Sequence, residues 1–566
     1  MFAQVDFTPV ASPHVEWAGL MPLVILGGGA VLLVMFRSVV KRLPSEYESW
    51  ITTAMGPVAV MAAYVLGGIA GHDLPLSGVR ADAGDGLFYV GFVVVLAVAA
   101  FVVWSLDIGL DTAFTFGVSF AALVSAWMLW IDRITVDGAF NSIGDQLGVD
   151  GFAVVFTGIM AIAVGLTALL LDDYIDREGV GGVEMYVLLM LSAAGGVVMA
   201  SANGLIVLFL GLETLSIAVY VLAAMHSKRL DSQEAGLKYF VLGAFSSAFL
   251  LYGIAFVYGA TGSTNLIAIR SFLDSNTLTD DALLLTGFAL MLVGLGFKVA
   301  AVPFHSWTPD VYQGAPTPVV AWMASAVKAA GFAALVRVFV VTFGSYRLDW
   351  QPAVYVLAIL TLVTGSVLAV VQRDAMRMLA YSSISHAGFI LVGVQAASAR
   401  GTAAVVFYAA AYTFLVIGSF AVLTVVSGKG DRATTLDDLD GLAERRPALA
   451  LAFTIFLLAQ AGVPLTTGFV AKIEVIGAAV EARSYWLAIV AMLTAVISSF
   501  LYLRIVLAMY VGKSSDEALA APRTRIPTAA VLVIGIAFLV TVGFGIIPDP
   551  IDQLARDAVP QLVAAG

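Results

Sequence analysis

Leu292-Val-Gly-Leu-Gly-Phe-Lys298-Val-Ala-Ala-Val-Pro303-Phe-His305-Ser-Trp-Thr-Pro309 decides the fold. It begins as an apolar helix, carries one ammonium group, and then meets a proline. Pro303 removes a backbone donor and clashes one turn back, so the helix breaks or kinks there. Gly294 and Gly296 loosen the same turn. Within a membrane, a broken helix needs a wet or protein-lined cavity, and transporters place ion sites at such breaks. A lone Lys298 there is either a side chain that snorkels to the headgroups or a desolvated amine that trades protons. The second reading is preferred because the helix breaks beside it.

The rest of the chain supplies the membrane. Of its 566 residues, 61% are hydrophobic and 12% are charged, and the mean hydropathy is +0.98. A soluble domain is about 25% charged, so half that charge cannot solvate a water-exposed surface of this size. The net charge of −11 leaves no basic footprint for nucleic acid. Cysteine is absent, which excludes disulfides, thiolate metal sites and iron–sulfur clusters held by this chain. The five histidines (14, 72, 226, 305 and 386) include no pair at helical metal spacing. No nucleotide-binding or haem-attachment motif is present, so redox chemistry would belong to partners. Met1 to Glu16 lacks the positive region of a cleaved signal, and the first apolar run is expected to stay as a helix.

Apolar runs near 20 residues long predict an all-α polytopic membrane protein of about sixteen spans. They lie near 17–36, 51–71, 87–105, 112–131, 151–171, 184–202, 204–225, 237–259, 283–302, 318–343, 352–371, 380–397, 402–427, 448–472, 485–511 and 527–547. With the N-terminus outside, the inner connections hold fifteen Lys and Arg and the outer ones seven. That bias predicts both termini on the outer face.

Six basic residues fall within spans: Lys238, Lys298, Lys328, Arg337, Lys472 and Arg504. Half of the eight lysines are therefore placed where a Lys costs roughly 2.5–3.5 kcal/mol to insert. Glu213 lies deep in Gly204-Leu-Ile-Val-Leu-Phe-Leu-Gly-Leu-Glu213-Thr-Leu-Ser-Ile-Ala-Val-Tyr and is too short to snorkel. It reads as a proton-handling group, the plainer alternative being a buried pair that holds two helices together. Lys472 sits in a second interrupted run, Gln460-Ala-Gly-Val-Pro464-Leu-Thr-Thr-Gly468-Phe-Val-Ala-Lys472-Ile-Glu474. Here the lysine follows the proline, whereas in the first run it precedes it. Lys328 is about ten residues into its span and reads as a relay. Lys238 is near an inner end, where snorkelling or a salt bridge explains it nearly as well as function; a pairing with Glu213 is one option. His305 could continue a path past the break. His386, in Tyr381-Ser-Ser-Ile-Ser-His386, is as readily a helix-to-helix hydrogen bond. Tyr408 and Tyr412 read as core, Arg337 and Arg504 as anchors of helix ends, and Glu474 as a solvated helix end.

Gly294 to Lys298 with Val302-Pro-Phe-His-Ser-Trp-Thr-Pro-Asp-Val-Tyr-Gln-Gly-Ala-Pro-Thr-Pro318, followed by Leu379-Ala-Tyr-Ser-Ser-Ile-Ser-His-Ala-Gly388, resembles the antiporter-like N subunits of bacterial proton-pumping NADH:quinone oxidoreductase (complex I). The likeness runs from about residue 149 to about residue 548. It implies a fourteen-helix core with two inverted five-helix repeats, each with a broken helix, and a polar axis along the midplane. The family's axial groups match Glu213, Lys238, Lys298, Lys328 and Lys472. The resemblance also implies NADH, FMN, iron–sulfur clusters and quinone on partner subunits and none on this chain. The implied neighbours are an antiporter-like M-type subunit, small K- and J-type subunits and membrane lipids, in the bacterial inner membrane. The expected organisation is residues 1–150 (including an extra hairpin at about 51–105, a departure from the family), 151–346 with the first repeat, 347–515 with the second, and 516–566. The alternatives are a subunit of a multi-subunit cation/proton antiporter, a structural membrane scaffold, and a quinone-binding subunit.

Overall fold

The computed structural model describes residues 15–40, 108–136, 138–180, 182–431, 434–512 and 526–560. The runs expected near 51–71 and 87–105, and with them the extra hairpin, lie outside these residues. Backbone polar groups in hydrocarbon must be satisfied within their own segment, and the described chain is accordingly almost all helix. In order it forms α1 (Trp17–Val40), α2 (Leu110–Met128), α3 (Gly151–Glu178), α4 (Val183–Ser201), α5 (Leu205–Ala223), α6 (Leu230–Thr261), a short α7 (Leu266–Ser275), α8 (Ala282–Val299) and α9 (Trp307–Gly314). These are followed by α10 (Thr317–Thr342), α11 (Arg347–Val371), α12 (Ala375–Gln395), α13 (Ala399–Val426), α14 (Pro447–Ala461), α15 (Thr467–Glu481), α16 (Tyr485–Val511), α17 (Thr528–Ile546) and α18 (Asp549–Asp557). A small antiparallel hairpin, β1 (Phe140–Ser142) with β2 (Leu147–Val149), leads into α3.

Among the described residues, thirteen helices are long and apolar enough to cross a membrane. Each matches one expected span. The expected 448–472 span is two half-helices instead, α14 and α15, which meet at Gly462–Thr466. The second half runs on to Glu481, so Glu474 is not a solvated end: it lies mid-helix and faces Arg400 at 3.6 Å. The order α4, α5, α6, α8/α9, α10 and then α11, α12, α13, α14/α15, α16 gives two successive sets of five, the fourth member of each being interrupted.

Local signals explain the ends. Asp150 caps α3 by accepting from the Ala153 amide at 2.8 Å, and Asp374 caps α12 by accepting from Arg377 N. Gly462 closes α14 in the left-handed conformation, with φ +92°. Burial grades inward: the apolar stretch of α10 is wholly enclosed, while only a third of that of α17 is buried. Two π-helical stretches in α10, Met323–Val327 and Val336–Thr342, bracket the turns that carry Lys328. Such stretches depart from regular α geometry and recur at functional sites.

Arg337 and Arg504 do anchor helix ends. Arg337 donates to Asp150 at 2.7 Å and to the Ala200 carbonyl, fixing the start of α3 and the end of α4. Arg504 donates to the carbonyls of Val370 and Gln372, where α11 ends.

Candidate functional site

Lys298, Lys328 and Lys472 are each no more than 5% exposed. Their hydrogen-bond partners are all neutral. The Lys298 ammonium donates to Ser216 Oγ at 2.8 Å and faces the rings of Tyr220 and Tyr239 at 5.8 and 5.7 Å. Lys328 donates to the Ser383 carbonyl at 2.7 Å and to the Ser383 hydroxyl. Lys472 donates to the carbonyls of Gln460 and Ala461 at 2.8 and 2.7 Å and faces Phe389 at 4.9 Å.

Two of the three lysines lie at half-helix breaks. Lys298 is in the last turn of α8, and Lys472 reaches back from α15 to the last carbonyls of α14. Unpaired carbonyls give a helix C-terminus partial negative charge, which favours a cation there. Lys472 takes that position, whereas Lys298, though in the last turn of α8, turns its ammonium to Ser216 of α5. Glycines make room for both stems. A Cβ on Gly331 would come within 3.4 Å of Lys298 Cγ, and one on Gly462 would come 2.9 Å from Lys472 Cδ.

Hydroxyls and an imidazole on α12 meet polar side chains of α13, α14 and α16 near Lys328 and Lys472. Ser383 meets Lys328 and, at 3.4 Å, Tyr312. One turn on, His386 Nδ1 is 2.7 Å from the Tyr408 hydroxyl and Nε2 is 3.1 Å from the Tyr502 hydroxyl. Tyr502 lies 2.6 Å from Ser382, which donates to Gln460 Oε1 at 3.2 Å, and Gln460 Nε2 donates to Ser419 at 2.8 Å. Gln460 is also the residue whose carbonyl holds Lys472. The links among His386, Tyr408, Tyr502 and Ser382 can reverse donor and acceptor through a hydroxyl or an imidazole, the property needed to pass a proton. The Ser-rich segment expected as the 380–397 span is fully helical.

Glu213 is on α5, three residues before the Ser216 that holds Lys298. Its Oε1 is buried with no hydrogen-bond partner among the described residues. Lys238 does not pair with Glu213. It bonds Glu234 Oε1 at 2.6 Å and Asp310 Oδ2 at 2.8 Å, and its side chain is 41% exposed. The i,i+4 geometry of α6 and the first turn of α9 present carboxylates nearer than α5 does. His305 sits half-buried in the break between α8 and α9, Nδ1 without a partner, and none of its described hydrogen bonds reaches another candidate.

Lys238 lines a cavity of about 1210 Å³ together with Glu178, His226, Arg229, Asp310 and Asp431. Ser216, Ser382, Ser383, Gln460 and Tyr502 were missed as candidates, as was Asp310. The only signal for them was the Ser-Ser-Ile-Ser-His stripe at helical spacing and the position of Gln460 just before the second break. Among the described residues no three His, Asp or Glu side chains converge as a metal site.

Residues 202–498 match the family described as NADH:quinone oxidoreductase/Mrp antiporter, TM. The NADH-quinone oxidoreductase subunit N of Rhodococcus opacus (strain B4) is 38% identical over 566 residues, covering 98% of each chain. That of Trichlorobacter lovleyi is 42% identical over 444 residues, 76% of this chain and 91% of its own. The extra N-terminal length is therefore shared with the first of these relatives. A chain in the structure of respiratory complex I from Thermus thermophilus with bound aureothin superimposes with a TM-score of 0.66 at 32% identity, covering 89% of this chain and 99% of that one.

Proposed function

The chain belongs to the NADH-quinone oxidoreductase subunit N family, within the wider NADH:quinone oxidoreductase/Mrp antiporter proteins, and on that premise we propose that it translocates protons through its buried lysines. It works as one subunit of an NADH:quinone oxidoreductase in a bacterial inner membrane, with both termini on the outer face. Protons enter from the inner side past Lys238 toward Lys298, pass by water and Lys328 along the midplane, cross the His386 hydroxyl network, and leave near Lys472. The two five-helix sets act as inverted repeats, the first within residues 151–346, which also hold α3 as a third core helix, and the second within 347–515. NADH, FMN, iron–sulfur clusters and quinone are held by partner subunits, which supply the energy. An M-type subunit and the small K- and J-type subunits flank the chain, and Glu213 couples to them by shifting charge along the line of lysines.

The observation that carries this reading is the buried polar network near Lys328 and Lys472. Ser383 holds Lys328, while one turn along α12 His386 bonds Tyr502, which bonds Ser382, which bonds Gln460, whose carbonyl holds Lys472; neither lysine has a carboxylate partner. A packing scaffold has no need of ammonium groups held by neutral partners, because apolar residues of similar volume fill such positions at lower cost. The test is Lys298→Met and Glu213→Gln in the assembled complex. Each is expected to lower the protons moved per NADH oxidised, as read by dye quenching in vesicles. Full pumping in both would reject the axis. Sodium-dependent transport by the purified assembly would favour a cation antiporter instead.

A further inference from the structure

Two cavities meet at one ion pair. The 1210 Å³ cavity and a second of about 460 Å³ beside Trp307 share Lys238 and Asp310 as lining residues. Asp310 is held on both oxygens: Oδ2 accepts from Lys238 at 2.8 Å, and Oδ1 accepts from Arg377 at 2.8 Å. The charged and polar groups that face it are Glu234 through Lys238 on α6, Arg377 on α12, and Gln313 on its own helix, which also accepts from Arg377. Immediately inward, Trp307 stacks on Tyr239 at 4.4 Å, and Tyr239 carries one of the two rings that the Lys298 ammonium faces. The Tyr239 hydroxyl is buried with no hydrogen-bond partner among the described residues.

Resting on the proton-translocating reading above, we propose that Asp310 is the entry gate of the first half: its carboxylate, bridging Lys238 and Arg377 at the junction of the two cavities, takes up the proton bound for Lys298. A hydronium from the cavity water gives its proton to the carboxylate, leaving a water molecule behind and a neutral acid at Asp310. The neutral acid no longer holds the two cations, so the pair between α6 and α9 opens and the proton passes inward on water, restoring the carboxylate. The bridge also ties α9 to α12, so opening at this point is felt in both sets of five helices.

The test uses the assembled complex in vesicles. Asp310→Asn is expected to lower proton flux per NADH oxidised roughly tenfold, the rate equivalent of losing a charge-assisted hydrogen bond. Because this chain has no cysteine, Asp310→Cys provides a second arm that starts from an assembled protein. A methanethiosulfonate reagent bearing a carboxylate is expected to restore flux, and a neutral reagent of the same size is not. Wild-type complex treated with each reagent controls for thiols on other subunits. Unchanged flux in Asp310→Asn, or equal response to the two reagents, overturns the gate. Lys298→Met run in parallel separates the two ideas: if it blocks flux and Asp310→Asn does not, only the gate fails.

Discussion

A buried amine with neutral partners is the unit from which the rest is built. Lys298, Lys328 and Lys472 each spend their donors on a hydroxyl or on carbonyls, so neither protonation state is locked by a fixed counter-ion. That Lys298, Lys328 and Lys472 lie inside the bundle was legible, because an ammonium is costly in hydrocarbon and its position in an apolar run is plain. What bridges them was not. Serine, tyrosine and glutamine are common in membrane helices, and their meaning depends on what they face. Tyr502 illustrates this: nothing around it in sequence marks it, yet its hydroxyl joins His386 to Ser382. Tyr502→Phe leaves the ring in place and breaks that link. We expect proton flux to fall roughly tenfold while assembly is retained, since removing one partner leaves buried polar groups unsatisfied. Unchanged flux in vesicles would take the hydroxyl out of the path.

Elements were legible wherever apolar length alone decides them, and less so where a helix breaks. The Pro303 interruption was expected and is present between α8 and α9. The second interruption was noticed as a Pro and Gly beside a lysine, but its two halves were merged into one span that stopped too early. Hydropathy averages over the five residues of the gap and does not register it. Packing between elements rests on another buried pair. Arg337 at the end of α10 and Asp150 at the start of α3 are almost wholly enclosed, 2.7 Å apart. Arg337→Leu leaves the Asp150 carboxylate without its guanidinium, and breaking such a pair costs about 3–5 kcal/mol. Reduced thermal stability of the purified complex, with less of this subunit in native gels, is the expected result. A normal melting profile would show that the pair contributes little.

At the scale of the whole molecule, orientation follows from charge rather than from shape. The excess of Lys and Arg in one set of connections is the basis for the proposal that both termini lie outside. With no cysteine in the chain, Ala3→Cys and Ala565→Cys become single labels, and a membrane-impermeant maleimide should reach both in intact spheroplasts. Labelling confined to inverted vesicles would reverse the topology and the direction of entry with it. The sequence by itself determined the solvent: composition, span length and the lone charges each follow from one chain segment meeting hydrocarbon, and need no knowledge of its neighbours. Only the tertiary structure decided which charge meets which partner. It took Lys238 from Glu213 and gave it to Asp310, and it brought Lys472 back across its break to the carbonyls of α14. The reason is range. Burial acts on each residue locally, whereas a hydrogen bond of 3 Å between helices remote in sequence exists only once the bundle has closed.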